Sequence, residues 1–142
     1  MLTSNAGWNT AVHQSFLKDV VAELKSYNVR TSLFIDPDEK MIEQARETGT
    51  DRIELYTEMF AKEFYADKKK AIELYARSAA KANELKLGIN AGHDLKLDNL
   101  KYFKENIPGL LEVSIGHALI ADALELGMSE AVRRYMAICQ SN

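Results

Sequence analysis

The sequence lacks several features that mark whole classes of protein. Its 142 residues contain one cysteine, Cys139, so no disulfide can form within the chain, and we expect a reducing, cytoplasmic environment. No apolar run approaches the roughly 20 residues that span a membrane, and from the opening residues we expect no secretory leader. The net charge is −3 and no basic run lines one face, so we expect no nucleic-acid partner and no membrane partner.

Spacings typical of metal sites are also missing. The chain has three histidines, and no two of them stand in an H-x-x-x-H or H-x-H arrangement that would indicate zinc. Asp36, Asp38 and Asp51 lack the spacing that closes a coordination shell around a divalent cation. We therefore expect no metal ligands.

What the chain does contain is the composition and length of one domain, residues 1–142, with 46% apolar and 27% charged residues. A first helix is predicted from about Thr10. Its apolar residues recur at helical spacing: Val12, Phe16, Leu17, Val20, Val21 and Leu24. These side chains are expected to form one inward stripe.

Strands and helices then alternate. We predict strands at residues 29–35, 52–56, 87–89 and 111–115, followed by helices near residues 37–48, 67–85, 98–105 and 117–126, and a last helix from about Ser129. The second helix has a strong start signal, with Asp36 as N-cap and Pro37 as first residue. Apolar side chains are expected inward on the last two helices: Leu119, Ile120, Ala123, Leu124, Val132, Tyr135, Met136 and Ile138. This alternation predicts a parallel α/β fold, either a small open sheet or part of a larger barrel.

The stretch Leu87–Leu97 is the first candidate for a functional site. It reads as a buried strand that runs into a polar tip carrying His93, with the small residues Ala91 and Gly92 just before it. In parallel folds ligands bind at the carboxyl ends of the strands. An imidazole at such a tip suits proton transfer or ligand binding, although a single histidine is more often structural.

Two further strand ends carry candidate groups. Glu54 stands within a short strand between Ile53 and Leu55, which directs it away from the apolar face. It is either paired with an arginine or lysine or acts as a catalytic acid or base. Gly116 and His117 join the last strand to a helix, where a glycine and free N–H groups favour a phosphate. A simple capped turn is the alternative there.

Four spaced blocks of sequence resemble the pyridoxine 5′-phosphate synthase family. They are T-S-L-F-I-D-P-D (31–38), R-I-E-L-Y-T-E (52–58), G-I-N-A-G-H-D-L (88–95) and V-S-I-G-H-A-L-I (113–120). The opening T-S-N-A-G-W (3–8) looks like the loop after the fourth strand of that family. The similarity extends over essentially the whole chain.

The resemblance implies a TIM-type (β/α)₈ barrel of which this chain matches the C-terminal half, strands five to eight. It implies condensation of 1-deoxy-D-xylulose 5-phosphate with 3-amino-2-oxopropyl phosphate in vitamin B6 biosynthesis, with no metal or organic cofactor. The family forms multimers, and the open edges of a half-barrel also argue against a monomer, so a homo-oligomer is expected.

The resemblance also implies roles for particular residues. His93 would be the proton donor, Glu54 would stabilise the transition state, Gly116 and His117 would hold the phosphate of the amino-ketone, and Thr3 would contact the deoxyxylulose phosphate. The family often has glycine directly after the catalytic histidine, where this chain has Asp94, which places a negative charge beside the phosphate position. The remaining catalytic residues of the family belong to its first half and are absent here.

Two other functions stay open. The chain could be a non-catalytic phosphate-binding half-barrel, or it could belong to another phosphate-handling barrel, such as an aldolase or isomerase. A Schiff-base aldolase needs a lysine at the carboxyl end of a strand, and Lys86 lies before its strand, at the wrong end.

Overall fold

A computed structural model describes residues 5–140 of the chain. The elements in that range are α1 (Gln14–Ser26), β1 (Ser32–Ile35), α2 (Glu39–Glu47), β2 (Arg52–Tyr56), α3 (Glu58–Glu63), α4 (Lys68–Glu84), β3 (Gly88–Gly92), α5 (Leu97–Asn106), β4 (Leu110–Ser114), α6 (His117–Leu126) and α7 (Met128–Gln140). All four strands run parallel, which confirms the predicted parallel α/β class. None of the helices between residues 5 and 140 is both long enough and apolar enough to cross a bilayer.

The strands follow one another across the sheet in the order β1-β2-β3-β4. Because crossovers between parallel strands are right-handed, an order without reversal places the connecting helices on the same face of the sheet. Five strand side chains on that face are fully buried in the apolar core: Ile35, Ile53, Leu55, Ile89 and Ala91. Residues of α1, α2, α3, α4, α5 and α7 complete the core.

The opposite face of the sheet is polar. Successive strand residues alternate between faces, and the register aligns Phe34, Glu54, Asn90 and Glu112 in one row across all four strands. Arg52, on the same face, forms an ion pair with Glu112 at 2.7 Å and donates to the Asn90 side chain at 3.2 Å. Since Glu112 is exposed and Phe34 and Glu54 are half-buried, this face is open.

The start of α2 differs from the prediction. Asp38, not Asp36, is the N-cap, and its carboxylate accepts the Met41 N–H at 2.9 Å. The Asp38 N–H donates to the Asp36 carbonyl at 2.8 Å, so a tight turn separates strand from helix. Pro37 therefore precedes the cap, and the predicted start was two residues early.

Other boundaries also shift. The strand predicted at residues 87–89 extends to Gly92, because Asn90 and Ala91 pair with β2. Those two residues are therefore part of the sheet, and the polar tip begins at His93. The first helix begins at Gln14 rather than Thr10, and α3 occupies a stretch for which no regular element was predicted.

Several apolar side chains predicted to point inward are exposed. On α1 the stripe buries Leu17 and Val21, whereas Phe16 is 57% exposed and Leu24 is also exposed. Val12, predicted in the same stripe, precedes α1 and is 72% exposed. On the last two helices the exposed members are Ile120, Leu124, Val132 and Met136. The periodicity identified apolar helix faces correctly, but no element within residues 5–140 covers these ones.

Candidate active site

A cavity of about 590 Å³ opens at the carboxyl edge of the sheet. Five of the six site residues predicted from sequence line it: Glu54, His93, Asp94, Gly116 and His117. They come from three different strands and the loops that follow. The sixth, Thr3, lies outside the described residues. The parallel topology explains the gathering, because the carboxyl ends of neighbouring parallel strands meet at one edge.

Glu54 points to the open face of β2. Its neighbours Ile53 and Leu55 are fully buried against the helices, and alternation sends the carboxylate the other way. The predicted partner arginine or lysine is not found among residues 5–140. Arg52, the nearest candidate on the same face, is instead paired with Glu112. Glu54 is therefore a half-buried carboxylate available to a ligand.

Gly92 makes room for the Glu54 side chain. A Cβ atom at position 92 would overlap Glu54 Oε1 and would lie 3.1 Å from the Ser114 Cβ. Only glycine therefore leaves the Glu54 carboxylate where it is. The family-like block around His93 thus contributes to the position of Glu54 on the neighbouring strand.

His93 follows β3 in a left-handed backbone conformation, with φ of +80°, and Asp94 continues it with φ of +58°. The imidazole packs against two aromatic rings. Its centroid lies 5.0 Å from the Phe34 ring and 5.0 Å from the Tyr56 ring, to which it is perpendicular. The imidazole is half-buried and reaches the cavity, which places a proton donor or acceptor beside Glu54.

Gly116 and His117 line the same cavity after β4. Gly116 is the N-cap of α6, and no atom lies within 4 Å of where its Cβ would be. The first N–H groups of a helix have no intrahelical partner and carry partial positive charge. Because Gly116, His117 and Ala118 line the cavity, the start of α6 suits an anionic ligand.

A charged cluster that sequence reasoning missed lines the same cavity: Glu58, Lys62 and Lys96. Lys62 contacts the Glu58 carboxylate at 2.7 Å, and the Tyr56 hydroxyl donates to it at 2.9 Å. These two hydrogen bonds, that from Lys62 first, lower the pKa of Glu58. Burial, followed by the Glu58 contact, raises the pKa of Tyr56 to about 12, so the phenol stays protonated. The i,i+4 spacing of Glu58 and Lys62 was the available signal.

The two lysines bring positive charge to a site that also holds Asp94. Lys96 stands two residues after Asp94 in the sequence. Its Nζ lies 5.1 Å from the centroid of the Tyr65 ring. Its hydrogen bond with Tyr65 raises the pKa of Lys96. Within residues 5–140 no three histidine, cysteine or acidic side chains gather as metal ligands would.

Comparison with known proteins adds a family match to this geometry. A family model described as pyridoxal phosphate biosynthesis protein PdxJ matches residues 1–141. A pyridoxine 5′-phosphate synthase of Flavobacterium johnsoniae is 57% identical over 135 residues, which cover 95% of this chain and 57% of that protein. One from Christiangramia forsetii is 56% identical over 137 residues, 96% of this chain and 58% of the relative. One from Bacteroides fragilis is 49% identical over 134 residues, with 94% and 56% covered. The chain spans somewhat more than half the length of these curated relatives.

Proposed function

This chain belongs to the family of pyridoxal phosphate biosynthesis protein PdxJ, and from that premise we propose that it provides one part of a pyridoxine 5′-phosphate synthase. The reaction would be the condensation of 1-deoxy-D-xylulose 5-phosphate with 3-amino-2-oxopropyl phosphate to close the pyridine ring. The observation that carries the proposal is the meeting of His93, Glu54 and the Gly116–His117 turn around one cavity.

The chain would form the C-terminal half of a (β/α)₈ barrel. An unreversed strand order with helices on one face and a polar opposite face is what a barrel segment requires. At the β1 side, Gly7 comes so close to the backbone of Ile35 and Asp36 that a Cβ would overlap it, and the Trp8 N–H donates to Phe34 O at 2.7 Å. The chain before β1 therefore runs along the carboxyl end of that strand, as a segment leaving a preceding strand would.

His93 would act as the proton donor in ring closure. An imidazole can carry a proton near neutral pH and release it to a leaving oxygen, which suits a condensation that expels water. Its ring reaches the cavity and packs against the Phe34 and Tyr56 rings. The donor would thus face the reacting atoms from a position held by two aromatic side chains.

Glu54 would stabilise positive charge that develops on the amino-ketone nitrogen and carbon during the condensation. Its carboxylate is free of ion pairs within the described range and lies beside Gly92 at the cavity wall. A fixed carboxylate in a partly dry site stabilises developing positive charge more strongly than water would.

The phosphate of 3-amino-2-oxopropyl phosphate would bind at Gly116 and His117, where α6 begins at the cavity wall. Asp94, in place of the family glycine, would contribute through its backbone. Its unfavourable charge would be offset by Lys62 and Lys96, which line the same cavity. Thr3 would contact the phosphate of the deoxyxylulose substrate. The chain would assemble with further copies of itself, because the family it resembles forms multimers.

The test measures formation of pyridoxine 5′-phosphate from the two phosphorylated substrates in two samples. The first contains the purified chain alone. The second, the complemented sample, also contains the part of the Flavobacterium johnsoniae relative that this chain does not span. Product in either sample, lost on Glu54→Gln, supports the proposal. A sample that binds phosphate yet forms no product in either format would favour the non-catalytic phosphate-binding half-barrel and overturn the enzymatic role.

A further inference from the structure

We propose that Thr57 is a positioning residue for His93: its buried hydroxyl, together with the Asn99 side chain, fixes the backbone that presents the imidazole to the cavity. The inference rests on the proposed role of His93 as proton donor. Neither Thr57 nor Asn99 lines the cavity, and both are fully buried. They would act on the reaction only through the backbone of residues 92–96.

The backbone at His93 needs such support. His93 and Asp94 have φ values of +80° and +58°, two successive residues in the left-handed region. Residues other than glycine rarely adopt this backbone conformation. They keep it where several surrounding contacts hold the backbone in place. The conformation turns the chain sharply at the end of β3 and directs the imidazole back toward Phe34 and Tyr56.

Thr57 supplies the first set of contacts. Its backbone N–H donates to the Gly92 carbonyl at 2.9 Å, and its hydroxyl lies 2.6 Å from the same oxygen. The hydroxyl also makes a short contact with the carbonyl of His93. A threonine hydroxyl has one proton, so it is shared between two consecutive carbonyls on either side of the His93 α-carbon. This holds the peptide groups at both ends of the catalytic candidate.

Asn99 supplies the second set from α5. Its amide nitrogen donates to the Asp94 carbonyl at 3.2 Å, and its amide oxygen accepts the Lys96 N–H at 2.9 Å. Three successive carbonyls, those of Gly92, His93 and Asp94, are therefore held by two buried side chains, one from the N-cap residue of α3 and one from α5. A loop that only connected a strand to a helix would not need this arrangement.

The decisive variant is Thr57→Val, which keeps the shape of the side chain and removes the hydroxyl. Thr57→Ser restores the hydroxyl. The matched control is Thr10→Val, since Thr10 is equally buried and its hydroxyl donates to a backbone carbonyl, that of Met41, at 2.7 Å. Thr10 does not line the cavity, so its variant reports what loss of a buried hydroxyl does to the fold alone.

The first readout needs no turnover. The imidazole proton resonances of His93, assigned by their absence in His93→Asn, carry ring-current shifts from Phe34 and Tyr56. We expect Thr57→Val to move them toward the values of a free histidine, and Thr57→Ser to return them. Thr10→Val should lower the melting temperature by a similar amount without moving them. Unmoved His93 resonances in Thr57→Val, or an equal movement in Thr10→Val, would overturn the positioning role.

The second readout is turnover in the complemented sample. Thr57→Val should lower kcat at least tenfold with KM within about twofold, and Thr57→Ser should recover most of the loss. Loss in KM alone would contradict the inference. If Thr57→Val fails to fold, Asn99→Asp serves instead, because it keeps the acceptor for Lys96 and removes the donor to Asp94. Absence of product in all samples would refute the proposed function, while the resonances would still decide the role of Thr57.

Discussion

Replacing Gly92 by alanine should lower the catalytic rate of this protein while leaving its stability nearly unchanged. A Cβ at position 92 overlaps the Glu54 carboxylate oxygen and lies 3.3 Å from its Cδ, with Ser114 Cβ at 3.1 Å. The side chain of Glu54 is flexible at that end, so it can rotate away while the strand stays in place. The substitution therefore changes the position of one carboxylate and leaves the sheet pairing intact.

The two expected magnitudes differ widely. Alanine restricts the unfolded chain and so stabilises by about 0.4–1 kcal/mol, while an unfavourable Glu54 rotamer costs about 0.5–1.5 kcal/mol. These contributions nearly cancel, and the melting temperature should change by less than about 3 °C. Misplacing a catalytic group by about 1 Å costs on the order of 100-fold in rate, which is the loss we expect in kcat of the complemented sample.

Gly88→Ala is the control in the same strand. Its Cβ would lie 2.7 Å from Arg52 Cγ and 3.0 Å from Leu111 Cδ1, so it crowds side chains to a similar degree but does not touch Glu54. It should retain turnover within a few-fold. Unchanged kcat in Gly92→Ala, an equal loss in Gly88→Ala, or a loss of stability above about 3 kcal/mol, the scale of severe packing defects, would refute the reasoning.

Two further predictions follow from the site and the sheet. Gly116→Val should weaken binding of inorganic phosphate at least tenfold by calorimetry with little change in melting temperature, since no atom lies within 4 Å of its Cβ position; unchanged affinity would remove the phosphate role. Asp51→Asn should lose about 1 kcal/mol of unfolding free energy at pH 7, a figure discounted for exposure. The Thr31 N–H, and then Lys25, lower the pKa of the Asp51 carboxyl. The stabilisation by this ionised group is present above its unfolded pKa of about 3.9 and is lost as pH falls through the lower folded value. The gap between the two proteins should therefore narrow as pH falls below the unfolded pKa, and an equal gap at pH 7 and pH 2 would contradict this.

Local pattern and parallel topology together account for most of the site. The strand predicted at 52–56 agrees residue for residue with β2, because apolar residues alternate there between polar flanks. Once the strands are parallel, His93, Glu54 and Gly116 must lie at one edge. The gathering of distant candidates around one cavity was thus predictable without any knowledge of side-chain contacts.

What sequence could not predict depends on tertiary contacts. Thr57 lies within the family-like block at residues 52–58, but nothing in the pattern assigns it a role, because its contacts are with carbonyls 35 and 36 residues away. The α2 cap was misassigned because Asp36 and Asp38 are equally good N-cap residues, and only the turn between them decides.

The exposed helix faces show the limit of hydrophobic periodicity. Phe16, Leu24 and Leu124 stand at helix positions that the pattern directs toward a core, yet they are exposed within residues 5–140. Periodicity identifies which face is apolar, but it does not identify the surface that covers it.

The most direct test of the central claim is the effect of His93→Asn on turnover and on phosphate binding, measured in the same complemented sample. The account predicts that formation of pyridoxine 5′-phosphate falls by about 100-fold or more, the usual contribution of a general acid, while the affinity for inorganic phosphate stays within a few-fold. Retained turnover, or an equal fall in turnover and affinity, would contradict the role of His93 as the proton donor of this site.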